Sequence, residues 1–160
     1  MMKIPILAAT VVLTAAALSG CCSCRESTGE RVFPRTEITY SSGGGVSGLS
    51  TGYTITEDRH VLKWSGNAAE VKKVDTVGQV PEPKYRDMLE DVYNLHPDTI
   101  RQMETGNMTV ALVITANDVT YRYQWAGLYY RDDAVPENVR PLRNVVWDVL
   151  RPYYEEASRQ

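Results

Sequence analysis

The chain has 160 residues, with 17 Lys and Arg against 20 Asp and Glu, a net charge of −3 at pH 7. That balance, without a basic cluster, argues against nucleic acid as a partner, because such binding depends on Lys and Arg neutralising phosphates. All three cysteines, Cys21, Cys22 and Cys24, lie near the N-terminus, so the rest of the chain offers no disulfide framework, thiolate metal site or cysteine nucleophile.

In chain order, residues 1–20 read as a signal peptide. Lys3 is a minimal positive start, and Ile4 to Leu18 is an apolar run too short for a comfortable membrane span of about 20 residues. The run ends in Leu18-Ser19-Gly20-Cys21, which resembles the lipobox of bacterial lipoproteins. The resemblance implies cleavage before Cys21, a diacylglyceryl group on its thiol and usually an acyl group on the freed amine. Two or three chains anchor stably where a single one binds marginally. The membrane is then a partner through Cys21, and the protein belongs to the bacterial cell envelope. Cys22 follows the lipidated residue where an Asp would retain the protein, which points to the outer membrane. Residues 21–34 form the lipidated N-terminus and a polar tether, and residues 35–160 a single domain.

Within the domain, Thr36 to Tyr40, Tyr53 to Thr56 and His60 to Trp64 alternate as strands, and Val71 to Val77 is a further strand. Leu62 shares a face with His60 and Trp64. Tyr85, Met88, Leu89, Val92 and Tyr93 recur at helical spacing between Pro81-Glu82-Pro83 and His96-Pro97. Met108 to Ile114 and Val119 to Trp125 alternate around Asn117-Asp118, a hairpin signature. Leu142, Val145, Val146, Val149 and Leu150 form a second helical stripe, with Pro141 in its first turn and Pro152 expected to kink or end it. Hairpin strands with segregated helices predict an α+β fold, an antiparallel sheet with two helices packed on one face.

Gly43 to Gly52 (GGGVSGLSTG) holds five glycines. A strand follows it rather than a helix start, and no Lys-Ser/Thr ends it, so it is not a phosphate cradle. Flanking strands make it a long hairpin loop rather than a linker. It is either a permissive turn or a partner-contacting loop presenting Val46 and Leu49. Tyr121, Tyr123 and Trp125 share one face of a strand, followed by Tyr129-Tyr130. That face either packs in the core or forms a recognition patch. His60 and His96 lack ligand spacing, so no metal is expected. Adjacent acids such as Glu90-Asp91 do not face each other on a helix, and Ser41, Ser42 and Ser47 lack an elbow motif. The pattern names no catalytic residue and no cofactor, and it reads as a binding domain with a protein partner.

The order of elements and the stretch Gly44-Gly45-Val46-Ser47-Gly48-Leu49 resemble the emfourin-like family of small bacterial inhibitors of thermolysin-like metallopeptidases. Val46 stands in place of the loop aromatic and Ser47 in place of Ala. Tyr121 to Trp125 matches the late strand, and Pro136 or Pro141 the approach to the last helix. The resemblance spans roughly Thr36 to Leu150. It implies a non-catalytic inhibitor that presents the glycine loop to a protease cleft.

Overall fold

The structure is a computed structural model that describes residues 32–67 and 70–159. The expected signal peptide, Cys21, Cys22, Cys24 and the tether up to Arg31 lie outside the described residues. Strand β1 (Thr36–Gly44) pairs antiparallel with β2 (Leu49–Ile55) on one side and with β5 (Met108–Ala116) on the other. Beyond β2 come β3 (His60–Asn67) and β4 (Glu70–Gln79), and beyond β5 comes β6 (Val119–Ala126). The sheet order is β4-β3-β2-β1-β5-β6, antiparallel throughout. Helix α1 (Glu82–Asn94) joins β4 to β5 through a single 3-10 turn, and α2 (Arg140–Ala157) follows β6. This is the expected α+β fold.

Alternation builds the core. Ile38 lies opposite both Ile55 and Ile114, and Tyr40 opposite Tyr53 and Leu112, so one pleat after another stacks apolar side chains across three strands. Val61, Val110, Tyr123 and Trp125 extend the same face. Both helices add their stripes to this one buried cluster, Met88, Leu89 and Val92 from α1 and Leu142, Val146, Val149 and Leu150 from α2. Among the described residues every buried apolar side chain lies between Ile38 and Leu150, within one compact unit, Val32–Gln160, so the domain carries its own core. Among the described residues no helix is long and apolar enough to cross a membrane.

Pro152 does not end α2, which continues to Ala157. A proline inside a helix removes the hydrogen bond to the carbonyl four residues back. That carbonyl belongs to Asp148, and Lys84 Nζ from α1 donates to it at 3.3 Å. Tyr153 then ties the continuing turn to β4, donating to the Gln79 carbonyl at 2.9 Å. Tertiary bonds thus offset the lost helical one. The first turn accommodates Pro141 as expected.

Buried and partly buried phenols bridge the elements. Tyr40 donates to the Tyr129 carbonyl at 2.8 Å, Tyr85 to the Thr36 carbonyl at 2.8 Å and Tyr123 to the Pro97 carbonyl at 2.5 Å. Burial pushes Tyr40, Tyr53, Tyr85 and Tyr123 up to about 12, from an ordinary value of 10.0. The folded state therefore holds these protons more tightly than the unfolded chain does. Their contribution is complete below pH 10 and is lost as pH rises towards 12. Denaturant midpoints should accordingly be flat from pH 7 to about 9.5 and fall steeply above it. A midpoint that stays level through that rise would mean the phenols are not held by the fold.

Among the described residues no helix covers the opposite sheet face. Leu62 and Trp64 of β3, Val74 and Thr76 of β4, Thr39 of β1 and Val113 of β5 project there. Leu62, Trp64, Thr39 and Val113 are partly exposed, and Val74 is 54% exposed. Thr54 bridges this face, its hydroxyl 2.9 Å from that of Thr39 and 3.2 Å from the donating Trp64 indole nitrogen.

Candidate functional site

The strands run further into the glycine stretch than the sequence implied. Gly43 pairs with Ser50 and Gly44 with Leu49, which leaves a four-residue turn, Gly45-Val46-Ser47-Gly48, instead of a long loop. The glycines allow this because the strands crowd. A Cβ on Gly43 would fall 1.9 Å from Ser50 Oγ, and one on Gly52 would fall 2.5 Å from Ser41 Cβ. Gly44, Gly45 and Gly48 adopt φ of 119°, 70° and 60°, which L side chains rarely enter.

The turn is pinned, not loose. Gly45 N–H donates to the Asn107 carbonyl at 2.6 Å, and Gly48 N–H to the Gly45 carbonyl at 3.2 Å. Ser47 Oγ accepts from the Leu49 amide at 3.4 Å. On this frame Val46 projects fully into solvent, and Leu49 is 52% exposed. The turn lies at the far end of β1 from Thr36, where the chain joins the sheet, a separation of about 30 Å for nine strand residues.

A second feature adjoins it. Leu49 and Thr51 share the helix-side face of β2, about 7 Å apart along the strand. Burial holds the Tyr129 phenol proton more firmly than usual, with Thr51 acting on it in the opposite sense. Tyr130, 46% exposed, packs edge-on against Tyr129 and stacks on Tyr154 with centroids 6.1 Å apart and planes 17° apart. Trp147 lies beneath, 6.2 Å from Tyr129 and 5.5 Å from Tyr154. The hairpin tip and this tyrosine shelf therefore share one end and one side of the sheet.

Arg143 holds the shelf to α2. It is 2% exposed, and its guanidinium donates to the Tyr40 phenol at 3.1 Å, to the Tyr129 carbonyl at 3.3 Å and to Asp132 at 2.5 Å. It also lies 5.2 Å from the Trp147 ring centroid. Sequence pattern misses this residue, since an Arg inside an apolar stripe reads as solvent-facing.

The aromatic face read from the sequence as a possible patch is not a surface. Tyr123 and Trp125 are each 1% exposed, and Tyr121 packs partly buried against the same core. Their strand turns that face towards the helices because Leu112 and Val110, opposite them on β5, face the core as well. The aromatic surface comes instead from exposed Tyr130 and partly buried Tyr154, of which only the first stood in the sequence next to the strand.

His60 begins β3 on the open face, and His96 sits in a left-handed conformation after α1. Among the described residues no three His, Cys, Asp or Glu side chains gather as metal ligands. A polar cleft of about 450 Å³ between β3, β4 and the end of α2 is lined by Lys63, Lys73, Asp75, Tyr153 and Glu156. Lys73 and Asp75 pair within it at 2.8 Å, so charges of both signs are present. Compared with known protein families and with curated proteins, the chain matches none of them.

Proposed function

We propose that this is a non-catalytic binding domain, held at the bacterial cell envelope by lipid on Cys21, that engages a protein through the Gly44–Leu49 hairpin. The specific activity proposed is inhibition of a thermolysin-like metallopeptidase, in keeping with the emfourin-like pattern of the glycine turn. One observation carries the reading. Val46 stands fully exposed on a turn whose backbone is pinned at Gly45 to Asn107. A preorganised apolar tip loses little conformational freedom on binding. Its position fits an anchored protein, since the tip lies a strand length from where the chain joins the sheet. The outer membrane is the proposed location.

A second reading, an accessory envelope protein that binds another envelope component, draws on the shelf of Tyr130 and Tyr154. Tyrosines are enriched where one partner's surface anchors another. It no longer draws on Tyr121, Tyr123 and Trp125.

The test titrates a soluble domain beginning at Arg25 against a thermolysin-like protease and follows peptide cleavage. Saturable inhibition is expected. V46D, which leaves every turn hydrogen bond in place, should weaken it at least about tenfold, or roughly 1.4 kcal/mol. A folded domain that leaves the protease untouched at about 100 μM, far above the range of specific complexes, would remove the inhibitor reading. Inhibition that V46D does not change would move the site off the hairpin.

A further inference from the structure

We infer that the open sheet face joins two copies of this chain in a face-to-face dimer. The chain is 23% charged. Yet among the described strand residues of this face charge is confined to Glu37, at the start of β1, where Arg35, Glu57, Asp58 and Asp118 line the same cleft, and to Arg122, on the edge strand β6. Between them lie Leu62, Trp64, Val74, Thr39, Thr54 and Val113. Depletion of charge with an aromatic present, here Trp64 on the second strand from the β4 edge, is the compositional mark of an interface core.

Trp64 is positioned for packing. It lies opposite Gly52, which adds no side chain, and its N–H is bound to Thr54. The indole needs no water or partner for its polar atom and offers apolar surface instead. A face whose described middle carries no charge also suits a copy of itself, since a two-fold pairing brings no like charges together there.

The area is sufficient. Six strands at about 4.8 Å spacing and about 25 Å of length give roughly 600 Å² per face, and two faces reach the roughly 1,200 Å² at which specific pairs begin. Two sheets pack in this way with their strands within about 30° of each other.

The chain outside the described residues sets the direction of the axis. It joins the domain at the Thr36 end of β1. A two-fold axis along the strands keeps both joining points at one end and both Val46 tips at the other. Two lipids then enter the same bilayer, which rests on the anchoring proposed above, whereas the face itself does not. The tether Cys22 to Arg31 is polar and charged and does not match this face as a cover.

Sedimentation equilibrium of the soluble domain reads the face alone, without lipid. The expected mass is twice that of one chain at tens of micromolar. W64R and, separately, T39K should return it to one chain while circular dichroism stays unchanged. V46D should remain dimeric. T39C, in a domain that otherwise lacks cysteine, should cross-link to a dimer with a short bismaleimide. A single-chain mass at every concentration up to about 100 μM would overturn the proposal, as would a dimer that survives both face substitutions or dissolves in V46D. If W64R fails to fold, T39K and the cross-link decide.

Discussion

R143A should lower the stability of the soluble domain by about 3 kcal/mol, and R143M by only about 1. The difference between the two is the argument. The guanidinium is nearly out of solvent, yet its carboxylate partner Asp132 is 77% exposed. The Arg143–Asp132 attraction is therefore screened and contributes little beyond about 1 kcal/mol. The Tyr40 phenol keeps the Tyr129 carbonyl as acceptor in either variant. What alanine loses is volume against Trp147 and Tyr40, whose ring centroids lie 5.2 and 6.0 Å from the guanidinium carbon. Methionine refills most of that space. Lysine should behave more like alanine, because a compact ammonium cannot serve Tyr40, Tyr129 and Asp132 from one plane. Urea denaturation of the three variants at constant m-value checks the order. Equal losses in R143A and R143M would place the stability in the hydrogen bonds instead. Amide exchange from Tyr129 to Val135 should rise in R143A, since this residue ties the shelf segment to α2.

Much of this architecture is legible in the chain. Period-two patterning placed β5 and β6 and the Asn117-Asp118 turn between them, and the two apolar stripes placed α1 and α2. Parity within a strand was legible too, but its direction was not. Leu62 shares its face with His60 and Trp64, yet that face is the open one, and Val61 enters the core. Only the pairing of Val61 with Ile55 decides this, and pairing is a property of two segments. For the same reason the sequence could not show that β5 returns beside β1 and makes β1 central. That α2 runs on past Pro152 instead of ending there was not legible, because the compensation comes from Lys84, on another helix. Arg143 was invisible because Tyr40, which accepts from it, is 103 residues away. The glycine turn was legible as a shaped feature. Its length was not, because glycine hides the alternation by which a strand is recognised.

The five glycines of Gly43 to Gly52 have separable roles, and alanine substitution should sort them. G44A, at the last strand position before the turn, should be more severe than substitution within the turn, at about 3 kcal/mol or more. Its φ of 119° is almost reserved to glycine, and a Cβ would lie 2.4 Å from the Asn107 carbonyl oxygen. That oxygen cannot retreat freely, since it accepts from Gly45 N–H at 2.6 Å. Steric and conformational costs therefore add. G48A should lose only about 1 kcal/mol, for the left-handed conformation alone. Its φ is 60°, and nothing lies within 4 Å of the added methyl. For a domain of this size, thermal midpoints should fall by about 10–15 °C in G44A and about 3–5 °C in G48A. The pair also separates shape from stability. If the hairpin binds a partner through a preorganised backbone, G48A should weaken binding beyond its small loss of stability, because the conformation it strains is the turn's own. Binding unchanged in a folded G48A would mean that Val46 and the tyrosine shelf carry recognition and that the turn merely holds them out.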